Sequence, residues 1–207
     1  MIKYKDTLLK AILAGVVIGI GGIAYLSVES TYIGSVLFGI GLFVIMTFSF
    51  NLFTGKVGYA PEKGVEYILD IAVIFIGNFI GTAITALLVG FTRHKGISER
   101  AFKLCETKLG DNLVSILILA FFCGILMYIA AEGFVRIDGD FMKALAVFLP
   151  VVLFILAGFE HVIANMFYFT LAGAWSLKAV LYLLIMTLGN SLGGMFIPFV
   201  MKFVKQK

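Results

Sequence analysis

Charge is what this chain has least of. Of its 207 residues only 14% are Asp, Glu, Lys or Arg, where a soluble domain carries about 25%. Those charges cluster between long uncharged runs instead of spreading along amphipathic faces, which excludes an ordinary water-soluble fold. Histidine is nearly missing as well, with His94 and His161 alone. No second histidine or cysteine stands at ligand spacing from His161, so no metal site suggests itself. Nor is there a Ser-His-acid set from which to argue nucleophilic catalysis. The two cysteines, Cys105 and Cys123, have neither metal-like spacing nor a paired framework and read as structural. No cofactor is expected, and nothing points to nucleic acid.

What the chain has in excess is apolar length. It is 61% hydrophobic, with a mean hydropathy of +1.09. The uncharged runs are 11–28, 30–55, 71–92, 113–131, 144–159 with 162–177, and 179–201. A helix needs about 20 residues to cross a bilayer, so four of these are ordinary spans. The first follows Lys3, Lys5 and Lys10 like a signal peptide, but its apolar core is long and no clear cleavage site follows, so it is kept as a helix.

Two runs are too long. From 144 to 177 only Glu160 and His161 interrupt 34 residues. As one straight helix they would reach roughly 50 Å, against a hydrocarbon core of about 30 Å. The run 30–55 ends in "NLFTGKVGYAP", a poor helix end for lipid. Helices broken at membrane depth are tolerated where their backbone is buried or lines a cavity. The expectation is an all-α membrane protein with six crossings, the second and fifth interrupted, in a single domain spanning 1–207.

An internal repeat supports this. "GNFIGT" at 77–82 recurs as "GNSLGG" at 189–194, a shift of 112 that also carries "NLFTG" at 51–55 onto "IANMF" at 163–167. Halves of three spans, about 8–92 and 112–203, insert with opposite orientation, so the repeat is an inverted 3+3 one. With both termini cytoplasmic, Lys3, Lys5, Lys10, Lys56, Lys63, Arg136, Lys143, Lys202, Lys205 and Lys207 lie inside. Arg93, Lys95, Arg100, Lys103, Lys108 and Lys178 lie outside, and the imbalance favours that orientation in a cytoplasmic membrane. Most of the basic loop after span three reads as solvated, offset by Glu99, Glu106 and Asp111. Lys108, at the start of span four, is the exception.

The stretch "GFEHVIANMFYF" at 158–169 carries the chemistry. An ionisable group inside the membrane is a functional candidate by default. A free imidazole titrates near pH 6.5 and apolar surroundings disfavour its charged form, so His161 is expected neutral and donating through N–H. That suits a weak-acid anion, which crosses a dry constriction cheaply once protonated. Glu160 is expected to satisfy backbone groups at the helix break, and Asn165 to do the same or to join the pore.

These residues resemble the formate/nitrite transporter family. "GFEHVIANMFY" is similar to its fifth-helix motif, "LFTG" to its second-helix break and "GNSLGG" to its sixth-helix signature, and the resemblance runs from about 8 to 203. It implies an aquaporin-like protomer in a homopentamer, conducting small monovalent anions such as formate, nitrite or hydrosulfide together with protons. It implies that His161 is the central pore histidine, Thr54 its partner in the broken second helix, and Lys108 the lysine that approaches from outside. Phe38, Leu42 and Phe154 resemble one apolar constriction, Leu52 and Phe53 the other. Under the shift of 112, Leu42 falls on Phe154. Asn51, Asn78 and Asn190 fall at the breaks and in the glycine-rich helices, as support. Members commonly carry an asparagine in span four where Gly124 aligns here, a departure that bears on substrate preference. Against this lead stand an aquaporin-like channel for water or small neutral solutes, an intramembrane enzyme using Glu160 and His161, and a purely structural protein.

Overall fold

The computed structural model describes residues 2–94 and 96–204, with side chains from residue 4 onward. Lys95, Lys205, Lys207 and the side chain of Lys3 therefore lie outside the described residues. All regular structure described is helical. Among the described residues four helices are long and apolar enough to cross a membrane: α1 (Ile2–Leu26), α5 (Glu66–Gly90), α7 (Leu113–Arg136) and α10 (Leu177–Met201). A chain in lipid must satisfy its own backbone groups, and a helix does so within one segment. Polar caps mark several starts. Ser30, Asn112 and Ser176 accept from backbone N–H groups in the first turns of α2 (Thr31–Thr47), α7 and α10.

The other two long runs are broken as expected. The first divides into α2 and a short α3 (Phe53–Lys56), followed by a 3₁₀ turn over Val57–Tyr59 and α4 (Ala60–Lys63). The second divides into α8 (Asp140–Leu156) and α9 (Val162–Leu171). Both breaks close in one way. Ser49 (φ 53°) and Gly158 (φ 69°) turn left-handed, and the next amides, Phe50 N–H and Phe159 N–H, return to Ile45 O and Phe154 O at 2.9 Å each. This is the Schellman closure that satisfies a helix's last carbonyls.

The register of the two breaks differs from the sequence expectation. Ser49 pairs with Gly158, and the first amide of each half-helix, on Phe53 and Val162, meets an asparagine. Those positions are 109 apart, whereas Asn78 and Asn190 are 112 apart. The three-residue difference is absorbed between the break and the following helix. Leu42 therefore does not match Phe154; the counterpart of Phe154 is Ile45.

Long helices pack pairwise, α1 on α5 and α7 on α10, and glycines let them touch. A Cβ on Gly81 would fall on Ile12 O, and one on Gly193 on Phe121 O. Gly124 belongs to the same crossing, because a Cβ there would strike Asn190 O. It is a packing position with no room for the asparagine that the resemblance implies there. The basic loop after span three also holds a helix, α6 (Gly96–Gly110). Its Ile97, Ala101 and Cys105 recur every four residues and are buried. Arg100 reaches across to donate to Leu26 O at 2.8 Å and to Val28 O, closing the end of α1. Burial pushes the Cys105 thiol up to about 12.

Candidate functional site

Two asparagines fasten the breaks. Asn78 Oδ1 accepts from Phe53 N–H at 2.8 Å, while its Nδ2 donates to Ala11 O and Asn51 O at 2.8 Å each. Asn190 Oδ1 accepts from Val162 N–H at 2.9 Å, and its Nδ2 donates to Ala120 O at 2.7 Å and Glu160 O at 2.8 Å. Both are fully buried, and each holds three backbone groups that lipid could not satisfy. Asn51 contributes mainly its carbonyl; its side chain donates to Thr7 O at a long 3.4 Å.

The second break brings the chemistry together. His161 is the N-cap of α9, and its Nδ1 accepts from Ala164 N–H at 3.1 Å. A backbone amide can only donate, so Nδ1 carries no proton and the neutral ring bears its hydrogen on Nε2. That nitrogen lies 2.9 Å from Thr54 Oγ1, which accepts from it. The two broken helices thus meet through one hydrogen bond between fully buried groups. Phe154 stacks on the imidazole with ring centres 5.6 Å apart, and Phe38 meets Phe154 edge-on at 5.9 Å.

The Glu160 carboxylate takes a different partner from the one expected, whereas Lys108 lines one cavity with His161. Lys108 Nζ donates to Glu160 Oε2 at 2.6 Å, and Asn165 Nδ2 donates to the same oxygen at 2.8 Å and to His161 O at 3.0 Å. The Glu160 carboxylate is therefore the counter-ion of the lysine; its backbone serves the break, the carbonyl accepting from Asn190 and the N–H donating to Leu119 O at 3.4 Å. The pair is shielded, with side chains 15% and 4% exposed. Asn165 Oδ1 is buried without a hydrogen-bond partner among the described residues.

A cavity of about 90 Å³ lies here, lined by Lys108, Phe154, His161 and Asn165, with Tyr25 and Tyr168. A second, of about 170 Å³, is lined by Leu42, Leu52, Lys56, Tyr59 and Met127 among others. The two are built alike. Ile45, Met46, Ser49, Phe50, Leu52, Gly55, Lys56 and Tyr59 line the larger; the residues 109 places on, Phe154, Ile155, Gly158, Phe159, His161, Ala164, Asn165 and Tyr168, line the smaller. Leu52 thus stands where the other half has His161. Phe53 lines neither cavity; its ring packs edge-on against Phe75 at 5.0 Å. Sequence reasoning passed over Lys56, Tyr59 and Met127, although their chain positions near the first break and in span four were in view. Tyr59 O–H donates to Glu132 Oε2 at 2.6 Å, and burial with that carboxylate beside it holds the phenol above its ordinary range.

The formate/nitrite transporter family model matches residues 2–204. The chain belongs to that family. Formate channel FocB of Escherichia coli is 28% identical over 182 residues, 77% of this chain and 64% of its own length. The formate-nitrite transporter of Plasmodium vivax is 27% identical over 198 residues, covering 80% and 63%. The uncharacterized transporter YrhG of Bacillus subtilis is 28% identical over 149 residues, covering 67% and 56%. The chain thus spans less than two thirds of the length of these relatives. A pentameric formate channel with formate bound superposes with a TM-score of 0.84 at 24% identity, covering 97% of this chain and 96% of that one. An FNT family ion channel gives 0.85 at 22%, covering 97% and 90%. At that identity the likeness establishes the fold, and with the four apolar helices it makes this family member a multi-pass membrane protein.

Proposed function

We propose that this chain is a passive channel for small monovalent weak-acid anions of the formate, nitrite or hydrosulfide kind. The observation that carries the reading is His161, whose Nε2–H is aimed at Thr54 beside a cavity that Lys108 and Asn165 also line. The protomer makes six crossings in an inverted 3+3 repeat, about 8–92 and 112–203, with spans two and five each built from two half-helices. The 109-residue correspondence of the two cavities supports that symmetry. Both termini are cytoplasmic in a cytoplasmic membrane, the smaller cavity faces outward, and five copies assemble, as in the pentameric relative.

An anion entering the outer cavity meets Lys108 first. That ammonium is already paired, so it attracts at short range more than at a distance. The anion then comes within reach of Nε2–H, and Thr54 trades one partner for another. Ahead lie Phe38, Leu42, Phe154, Leu52 and Met127. A cation favours the charged form of an acid, so the lysine helps capture; the apolar stretch, which disfavours charge, is what drives a proton from the water of the entry side onto the anion, with His161 left neutral throughout. The neutral acid crosses, and its proton is released on the far side.

The test is flux in proteoliposomes of formate, nitrite and hydrosulfide from pH 5 to 8, for wild type, Thr54→Val and His161→Ala. Faster flux at lower pH in wild type, with loss in both variants, is expected. Anion flux indifferent to pH and to both substitutions would sink the reading. One observation favours a neutral-solute channel instead: the Lys108–Glu160 pair leaves the outer cavity without net charge. Osmotic swelling in the same liposomes separates the two, since only that reading expects fast water entry without anion entry.

A further inference from the structure

The larger cavity contains a cation that the mechanism above leaves idle. Lys56, half-buried at the end of α3, lines it and makes no ion pair or side-chain hydrogen bond among the described residues. The charges that act on it most are those of Lys63 and Lys10, which repel it. No carboxylate lines the cavity. Glu132, the acid bonded to the lining residue Tyr59, is occupied by Tyr59 and Arg136. The other polar side chains in the lining are Tyr59, whose hydroxyl is spent on Glu132, and Ser49, whose hydroxyl is unpartnered among the described residues, so the cavity offers donors in an apolar setting. A cavity of about 170 Å³ resembles in size one that holds a benzene molecule, and so has room for a triatomic anion with water. By the 109-residue correspondence, Lys56 occupies in this cavity the place that Asn165 holds in the outer one.

We infer that Lys56 is a second anion-binding position, holding a small monovalent anion in the cavity on the opposite side of the apolar stretch from His161. The inference rests on the channel reading for its role in permeation but not for the binding itself. An unpaired ammonium facing a cavity of low polarity is a costly arrangement alone, and an anion beside it removes that cost. As an acceptor of the anion released on this side, Lys56 favours loss of the proton there, since a cation lowers an acid's proton affinity. The two positions then bracket the neutral step, capture by Lys108 and His161 on one side and re-ionisation at Lys56 on the other.

Bromide is the probe. Crystals of the full chain soaked in sodium bromide are expected to show anomalous density within hydrogen-bond reach of Lys56 Nζ in wild type and in Lys56→Arg, and none in Lys56→Gln. In proteoliposomes, Lys56→Gln is expected to raise the half-saturating formate concentration on the Lys56 side about tenfold, the scale of one charged hydrogen bond, with Lys56→Arg restoring it. Absence of bromide at Lys56 in wild type, or an unchanged half-saturation in Lys56→Gln, overturns the proposal. Should wild-type liposomes pass no anion at all, the channel reading falls, and the bromide density alone decides whether Lys56 binds.

Discussion

His161 shows how much a single hydrogen bond dictates. Because Ala164 N–H occupies Nδ1, the ring is held in one tautomer and presents a donor to Thr54. Thr54→Ser is therefore expected to keep most of the flux, because it keeps the acceptor, and Thr54→Val to lose it, because valine matches threonine in size but offers no acceptor. The Lys108–Glu160 pair makes a second prediction at this scale. Its members are nearly shielded from solvent, so removing one leaves the other buried and uncompensated, at a cost of about 3–5 kcal/mol. Lys108→Met and Glu160→Gln should each lower the melting temperature in detergent, and the double variant should recover most of the loss. Additive losses would mean that the pair is not coupled. Cys105 belongs here too. With its thiol pushed up to about 12, almost none is thiolate at pH 8, and maleimide should leave it unlabelled until the protein is unfolded.

At the scale of elements, the half-helices depend on Asn78 and Asn190. Asn190→Leu keeps the size but strands Val162 N–H and the carbonyls of Ala120 and Glu160. Each such group costs about 1–3 kcal/mol when buried without a partner, so this variant should fail to reach a folded peak in size-exclusion chromatography. Gly124→Asn should fail likewise, because its Cβ meets the backbone of α10. Among the titratable groups of α7, Cys123 is the one on which Glu160 and Lys108 act. Cys123→Asn is the substitution expected to be tolerated, with altered preference among anions in the flux assay.

Across the whole molecule, the two cavities are one design used twice with different contents: His161, Asn165 and a paired lysine in one, Leu52 and an unpaired Lys56 in the other. The inverted topology proposed above, with both termini cytoplasmic, predicts that cysteines placed at Glu29 and Lys178 label from outside intact cells, and at Lys63 and Asp138 only from inside. Labelling of all four from one side would exclude it.

What the sequence determined by itself follows from the demands of lipid. An uncharged run of about 20 residues, or one too long with polar residues in its middle, is legible because the bilayer constrains every position along it. The four apolar helices, both interruptions and the isolation of His161 at one of them were all readable that way; Thr54 was legible only through the family resemblance. Tertiary structure alone decided what depends on which helix face meets which. It set the breaks 109 apart where motif spacing read 112, because three residues between break and helix can be absorbed without trace in the motifs. It turned Glu160 to Lys108 instead of to the backbone, made Gly124 a crossing point, sent Phe53 to Phe75, and left Lys56 facing a cavity. A side chain's partner lies across the bundle, often fifty or more residues away, and no local spacing carries that distance.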